Sequence, residues 1–374
     1  MLKKMVLSNF LSFAEETEFS FVPTKYGILS QANVSSTDVL KGGLFIGPNA
    51  SGKSNAIKAV GFLLGLFKDK KTNFAEYACV WTNKPFFQIS YYFDISGDEV
   101  EYRIKYHIET RSLEESLSIQ NVQVLFRLGN TGKLELDGRE IINTKLDDGT
   151  IFLRTAAFST GNFPDNPVLN RLMEFIENSV YITSDASSLS AASSIEEYAE
   201  SHGLEKVNRF LKDFHYDFSV EYTNESVGEG VRIQSPEKKI VIFRRKSFPF
   251  PLLQYKESQG NLTFASIAPY IVNAIEHSCM VVIDEFGNSL HNKLAENIIH
   301  YFMEKTDQSQ IFITSHCTNL ISNSVFRPDQ INLITFDGKN GSHTKRLSDF
   351  KPREAQNLEK MYLGGMFEGL PSYE

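Results

Sequence analysis

The sequence predicts an α/β protein: a mixed, mostly parallel sheet flanked by helices, interrupted by an antiparallel β-meander and a helical segment. Three observations carry that expectation. The short apolar run Leu44-Phe45-Ile46 leads into a glycine-bounded loop, and a helical pattern of apolar residues follows it. A second apolar run, Cys279 to Ile283, closes on two adjacent carboxylates, Asp284 and Glu285. Between these landmarks, from Pro85 to about Ile142, the apolar period drops to two, the period of half-buried strands.

The glycine-bounded loop is Gly47-Pro48-Asn49-Ala50-Ser51-Gly52-Lys53-Ser54-Asn55, which has the spacing G-x-x-x-x-G-K-S. Gly47 and Gly52 allow the backbone to turn so that successive N–H groups point inward at phosphate oxygens. Lys53 is placed to reach the outer phosphates, and the Ser54 hydroxyl is placed to ligate Mg²⁺. The helix that begins at Lys53 adds the partial positive charge of its N-terminus at the same point. The spacing predicts a nucleotide site.

The remaining elements follow in chain order. Met5 to Phe13 and Thr17 to Val22 are expected as a hairpin-like lead-in to the strand before the loop. After the loop, Ile57, Val60, Leu63, Leu64 and Phe67 recur at helical spacing and form one apolar face. Phe87 to Phe93, Val100 to Ile108 and Val122 to Leu128 alternate with polar residues, and turn-forming segments at Ser96-Gly97-Asp98 and Gly129 to Gly132 adjoin them. The Ser/Ala-rich stretch Ser184 to Ser194 is expected as a mobile loop, followed by helix through Phe214. Residues 218 to 255 are again strand-like. They contain the basic cluster Arg244-Arg245-Lys246, which reads either as a solvated strand end or as a contact for nucleic acid or a partner protein. A helical run from Leu262 to Ile275 contains Pro269, where a kink or break is expected. Met280 to Ile283, Gln310 to Thr314 and Ile331 to Phe336 are strands, with a helix over His291 to Glu304, which suggests parallel βαβ units. The core would then be built from residues 1–79 and 251–374, with 80–250 as an inserted β-meander and helical/strand subdomain.

Composition narrows the class. With 374 residues, 41% of them hydrophobic, the chain can bury a large core, and a net charge of −8 argues against a non-specific nucleic-acid coat. The three cysteines, Cys79, Cys279 and Cys317, lack metal-ligand spacing and read as free thiols. The N-terminus lacks the apolar core of a signal peptide, and the longest apolar stretch, Ala59 to Phe67, is too short to span a bilayer. A cytoplasmic protein without membrane partners is expected.

Further pieces fall where nucleotide chemistry needs them. Asp284 would hold the Mg²⁺ water shell, and Glu285 would orient and polarise an attacking water. His316, after the strand Ile311 to Thr314, could hydrogen-bond the terminal phosphate. Ser258 and Gly260, in Glu257-Ser258-Gln259-Gly260-Asn261, open a helix and offer either an anion site or a simple N-cap. Asn288-Ser289-Leu290-His291 reads by itself as the polar cap of the next helix.

Taken together these pieces resemble the ABC-type ATPase heads of RecF, SMC and OLD-like proteins. Among them the chain is most similar to the stand-alone AAA-type ATPases of bacterial antiphage, or abortive-infection, systems such as AbiLi. Asn9 to Phe13 matches their Asn-Phe-x-Ser-Phe, Glu257 to Gly260 their Glu-Ser-x-Gly signature, and Asp284-Glu285 and Ser289-Leu290-His291 their acidic and Ser-Leu-His elements. Thr314 to His316 matches their Thr-Ser-His, and Tyr362, Gly365, Phe367, Gly369 and Pro371 match their closing motif. Asn292 stands where the family usually has Pro, and Asn261 where Thr is common. Gln88, inside the meander, is a poor candidate for the Gln loop of such heads.

The resemblance implies a P-loop NTPase with an ABC-ATPase-like head that binds ATP and Mg²⁺ and hydrolyses ATP slowly. Glu285, Lys53 and His316 would be catalytic, Ser54 and Asp284 metal-binding, and Ser258 and Gly260 of one copy would close over the nucleotide of another. It further implies a homodimer or higher homo-oligomer acting as a sensor or scaffold that controls a separate effector protein encoded nearby, presumed to be a nuclease. A self-contained nuclease of the OLD type is not expected, given the short stretch after His316. A RecF- or SMC-like ATPase of DNA repair is the alternative, which leaves DNA open as a partner.

Overall fold

The computed structural model describes residues 1–68, 71–136, 138–183, 188–224, 239–246 and 248–367, with backbone alone for 188–193. Strands β1 (Leu2–Ser8), β2 (Thr17–Ser20) and β3 (Gly42–Ile46) precede the glycine loop. The meander is β4 (Phe86–Ile95), β5 (Asp98–His107), β6 (Ser112–Ile119), β7 (Val122–Leu128), β8 (Thr131–Leu136) and β9 (Arg139–Asn143). Then come β10 (Val180–Ile182), β11 (Phe218–Thr223), β12 (Ile240–Arg245), β13 (Leu252–Leu253), β14 (Met280–Ile283), β15 (Gln310–Thr314), β16 (Ile331–Phe336) and β17 (Ser342–Arg346). The α-helices are α1 (Ser30–Asn33), α2 (Lys53–Lys68), α3 (Phe152–Thr160), α4 (Pro167–Glu177), α5 (Ser188–His202), α6 (Glu205–Asp213), α7 (Gln259–Glu276), α8 (Asn292–Lys305) and α9 (Leu358–Leu363).

One sheet has the order β10-β14-β15-β3-β16-β17. Its neighbours are parallel from β10 to β16, and β17 pairs antiparallel at the edge. The second sheet, β2-β1-β4-β5-β6-β7-β8-β9, is antiparallel throughout, and β11-β12-β13 form a small third one. The meander therefore does not stand alone: β4 pairs with β1 over Leu2 to Ser8, so the lead-in and the meander share one sheet. β10, from within residues 80–250, is the edge strand of the parallel sheet.

Side-chain alternation in the parallel strands explains the layering. Met280, Val282, Phe312 and Ile334 face a core built with Ala56, Ile57, Val60, Leu63 and Leu64 of α2 and the inner face of the antiparallel sheet. Val281, Ile283, Ile311, Ile313, Ile331 and Leu333 face α7 and α8 in a second core. Strands buried on both faces read as continuous apolar runs, which is why β14 and the middle of β15 stand out in the sequence; β16 matches its expected bounds although Asn332 and Thr335 interrupt its apolar run. α2, lying between two sheets, is apolar almost all round, as a helix buried on every side must be.

Two expectations need correction. The Ser/Ala-rich stretch is helical from Ser188 onward, where α5 begins, and its first residues, 184–187, lie outside the described residues. Small residues with few turn formers do not forbid helix when a neighbour is available, and α5 packs on α7. α7 runs unbroken through Pro269. Gly369 and Pro371 of the closing motif also lie outside the described residues. Among the described residues no helix is long and apolar enough to cross a membrane.

Candidate nucleotide site

β3 delivers the loop to the carboxyl edge of the parallel strands, between β15 and β16, where open α/β sheets place their ligands. Gly47 and Gly52 have φ of 158° and 104°. A Cβ on Gly52 would lie 2.2 Å from Ser342 Oγ and 2.7 Å from Ser12 Oγ, so a side chain there would push the loop off its supports. Those supports are specific: Ser342 Oγ donates to Ser51 O (2.7 Å) and lies 2.8 Å from Ser12 Oγ, while the Ser342 N–H donates to Ser12 O (2.7 Å). The Asn9–Phe13 segment thus braces the loop from outside. Asn9 donates from Nδ2 to Phe86 O (2.7 Å), which ties that brace to the meander.

Asn49 and Ala50 form the exposed tip of the loop; Pro48, Ser54 and Asn55 are half-buried. Ser51 is buried, and its Oγ has no hydrogen-bond partner. Lys53, 7% exposed, donates from Nζ to Gly47 O (3.0 Å) and Pro48 O (2.7 Å), carbonyls of its own loop. Burial lowers its pKa from the usual lysine value, against the opposing pull of Asp284 and Glu285.

The acidic pair stands across from α2. Asp284 Oδ1 accepts from Ser54 Oγ (3.1 Å) and from Thr314 Oγ1 (2.5 Å). The same Thr314 oxygen accepts from the Glu285 N–H (2.7 Å), and the Phe286 N–H donates to Thr314 O (2.8 Å). Glu285 has φ of 58°, in the left-handed region, which turns the chain sharply at the strand end. Its Oε2 accepts from Asn288 Nδ2 (2.7 Å). Thr314 is the residue whose part was missed: read as one letter of Thr-Ser-His, it is the hydroxyl that ties the Asp284 carboxylate and the Glu285 backbone N–H to β15. The only sequence signal was a polar residue closing the apolar run Ile311 to Ile313.

His316 is exposed on the turn after β15. Its pKa is lowered from the ordinary histidine value by desolvation and by the charge of Lys53, with Glu285 and Asp284 opposing. The lowered value favours the neutral ring.

Ser258 and Gly260 open α7. Ser258 is the N-cap of α7, accepting from the Asn261 N–H (3.3 Å), so the capping reading holds in this chain. Gly260 comes so near the turn after the acidic pair that a Cβ would lie 2.8 Å from Ser289 O. Among the described residues no hydrogen bond joins Ser258 or Gly260 to the glycine loop. The segment is anchored by Glu257, whose Oε1 accepts from Arg245 Nη2 (2.7 Å), the Ser258 N–H (2.8 Å) and Asn261 Nδ2 (2.9 Å). Burial alone would raise the Glu257 pKa, but these hydrogen bonds outweigh it and hold the carboxyl below its usual range. Arg245 also pairs with Asp217 (3.2 Å) and Arg244 with Glu221 (2.7 Å), so the two arginines of the basic cluster are engaged with carboxylates. His291 caps α8, with Nδ1 accepting from the Lys293 N–H (3.2 Å). Gln88 is within β4, paired with Ser8 and Lys105, and away from the parallel sheet.

Chemically, the loop gathers a buried ammonium, an orphaned serine hydroxyl, a helix N-terminus and a hydroxyl–carboxylate pair. Such a donor set fits a nucleotide phosphate chain with Mg²⁺, a hard cation usually held by one or two protein oxygens together with phosphate oxygens.

Residues 44–322 match the family described as "AAA domain, putative AbiEii toxin, Type IV TA system". Among solved structures the chain is similar to the SMC head domain from Thermotoga maritima, with 14% identity and a TM-score of 0.50 over 92% of this chain and 98% of that one. It is also similar to the SmcHead bound to the C-winged helix domain of ScpA, with 13% identity and a TM-score of 0.51 over 92% of this chain and 96% of that one. No curated protein matches the sequence. At these identities the likeness concerns the fold, and it bears out the expected ABC-like P-loop NTPase architecture.

Proposed function

The chain belongs to this AAA-domain family, and on that footing we propose that it is a Mg²⁺-dependent ATPase that uses nucleotide to switch between open and closed assemblies. One observation carries the proposal: Ser54 of the loop and Asp284 of β14 meet at 3.1 Å, with Lys53 and Glu285 beside them. Lys53 would leave the Gly47 and Pro48 carbonyls for the outer phosphates, and Ser51 and the loop N–H groups would complete the anion cradle. Ser54 and Asp284 would hold Mg²⁺, whose chemistry is to neutralise charge on the phosphates. Glu285, oriented by Asn288 and Thr314, would take a proton from the attacking water, and neutral His316 would donate to the terminal phosphate.

Among the described residues Ser258 and Gly260 make no hydrogen bond to the loop of their own chain, which leaves them available to close over the site of a second copy. Ser258→Arg is expected to fold and bind ATP yet lose turnover, because a bulky cation would spoil the closing face. Mixed with Lys53→Ala, which lacks the phosphate contact, it should regain part of the activity, since a mixed dimer has one composite site with both halves intact. Steady-state ATPase assays over a range of mixing ratios, with subunit exchange confirmed by labelled protein, would measure this. No recovery would count against a shared site.

In the cell we place this switch in the cytoplasm, as the sensor or scaffold of an antiphage system that controls a separate effector protein. The resemblance to AbiLi-type ATPases and the family description support that part. The partner model further expects that the chain does not itself cut nucleic acid. Infection of cells carrying this gene, its neighbour, or both would test it. Protection by this gene alone, or metal-dependent cleavage by the pure protein, would overturn the partner model, and ATP turnover stimulated by DNA would favour the repair-type reading.

A further inference from the structure

We propose that Trp81, held by Phe336, is the platform on which the base of the nucleotide stacks, so that the site selects a purine nucleoside triphosphate and not merely a polyphosphate. This inference rests on the nucleotide reading above and deepens it.

The direction of the phosphate chain follows from the sheet order β14-β15-β3-β16-β17. Asp284 and Thr314, which mark the metal end, come from β14 and β15 on one side of β3. The rest of the nucleotide must therefore extend from the loop toward the other side, that of β16 and β17. There the wall beside the loop is Ser12 and Ser342, packed against Gly52. Phe336 is the cross-strand partner of Ser342, so it sits one residue pair from the hydroxyl that holds Ser51 O.

Trp81 completes this wall. The segment before it is pinned to the Asn9–Ser12 turn, with Cys79 N–H donating to Asn9 O (3.0 Å) and Leu11 N–H to Tyr77 O (2.7 Å). The indole lies 5.4 Å from the Phe336 ring, centroid to centroid, at 59°. A tilted contact of that kind fixes the indole by its neighbour without covering its faces. Trp81 is 49% exposed and Phe336 38%, an apolar pair in water joined through Ser342 to the polar loop. A purine is a flat, weakly polar surface that would arrive there joined to the phosphates. Burying it on the indole removes apolar surface of both partners from water, and base–aromatic stacking is sequence-tolerant but favours the larger ring system.

Trp81 is the only tryptophan in the chain, so its fluorescence reports this contact directly. ATP titrated into the wild-type protein should quench or shift the emission. Inorganic tripolyphosphate should compete for the loop without doing so. Trp81→Ala should weaken ATP binding about tenfold or more, measured by calorimetry, while leaving tripolyphosphate binding unchanged, and Trp81→Phe should restore most of the loss. UTP should bind the wild type less tightly than ATP, and this preference should vanish in Trp81→Ala. Equal ATP affinity in wild type and Trp81→Ala, with unaltered emission on binding, would overturn the platform while leaving the nucleotide site standing. Failure of both ATP and tripolyphosphate to bind the wild type would instead remove the nucleotide reading itself. Loss of tripolyphosphate binding in Trp81→Ala would show that the indole supports the loop structurally and would also overturn the proposal.

Discussion

Glu285→Gln is expected to turn over ATP at least about a hundredfold more slowly than the native chain, while binding ATP with near-native affinity. The amide keeps the size of the side chain and can still meet Asn288, and the Thr314 hydroxyl continues to hold the backbone N–H of residue 285. What disappears is a carboxylate able to accept a proton from water. Because the phosphate contacts and the Ser54–Asp284 pair are untouched, the variant should accumulate with ATP bound, in the closed assembly. Single-turnover hydrolysis and size-exclusion chromatography with ATP would read the two effects. Hydrolysis at the native rate would show that another group is the base.

A second large effect is expected far from the chemistry. Arg327→Ala should destabilise the fold by about 3–5 kcal/mol in urea unfolding, the range found when one partner of a buried ion pair is removed. Arg327 and Asp329 are 1% and 0% exposed and meet at 2.9 Å. The arginine also donates to Ile28 O (2.9 Å) and Ser30 Oγ (2.7 Å), and Asp329 accepts from the Thr24 N–H (2.6 Å) and hydroxyl (2.7 Å). Removing the guanidinium strands the carboxylate and frees the 24–30 segment together. Burial alone would raise the Asp329 pKa, but the bonds from Arg327 and Thr24 hold it below the usual value. The pair therefore contributes fully above about pH 4, the unfolded carboxylate range, and its contribution falls as pH drops through the lowered folded value. Replacing both residues with apolar ones of similar size should cost much less than Arg327→Ala. A cost below about 1 kcal/mol for the single change would mean that the charges are solvated in solution.

Much of this molecule is legible in one dimension. β14 and β15 could be bounded because strands buried on both faces leave apolar runs, Met280 to Ile283 and Ile311 to Ile313, each followed by a polar residue, Asp284 or Thr314, where the sheet meets the site. The loop from Gly47 to Ser54 could be read because its chemistry is local: every group it needs lies within nine residues of chain. What stayed hidden is non-local. Nothing in Leu2–Ser8 announces that it pairs with Phe86–Ile95, since alternation specifies a half-buried strand but not its neighbour. Ser12 and Ser342 are ordinary serines until the fold sets them against Gly52. Trp81 reads as a stray aromatic in a loop. The basic cluster read as either a solvated strand end or a contact surface because the carboxylate partners of its two arginines, Asp217, Glu221 and Glu257, lie at a distance in sequence.

The position of β3 has a consequence for how the protein comes into being. Its two neighbours, β15 and β16, belong to the last quarter of the chain, as does Ser342, which holds the loop from the side. On a ribosome adding roughly 5–20 residues per second, the glycine loop emerges early and then waits tens of seconds for the strands that shape it. During that wait β3 exposes an apolar edge with no ladder partner on either side, the kind of surface that pairs with the wrong chain. The antiparallel sheet, whose strands follow one another closely, can form in the interval and bury α2 on one face. Synthesis thus imposes an order in which the antiparallel sheet precedes the parallel one, and the glycine loop gains its final shape only after β15, β16 and Ser342 have emerged.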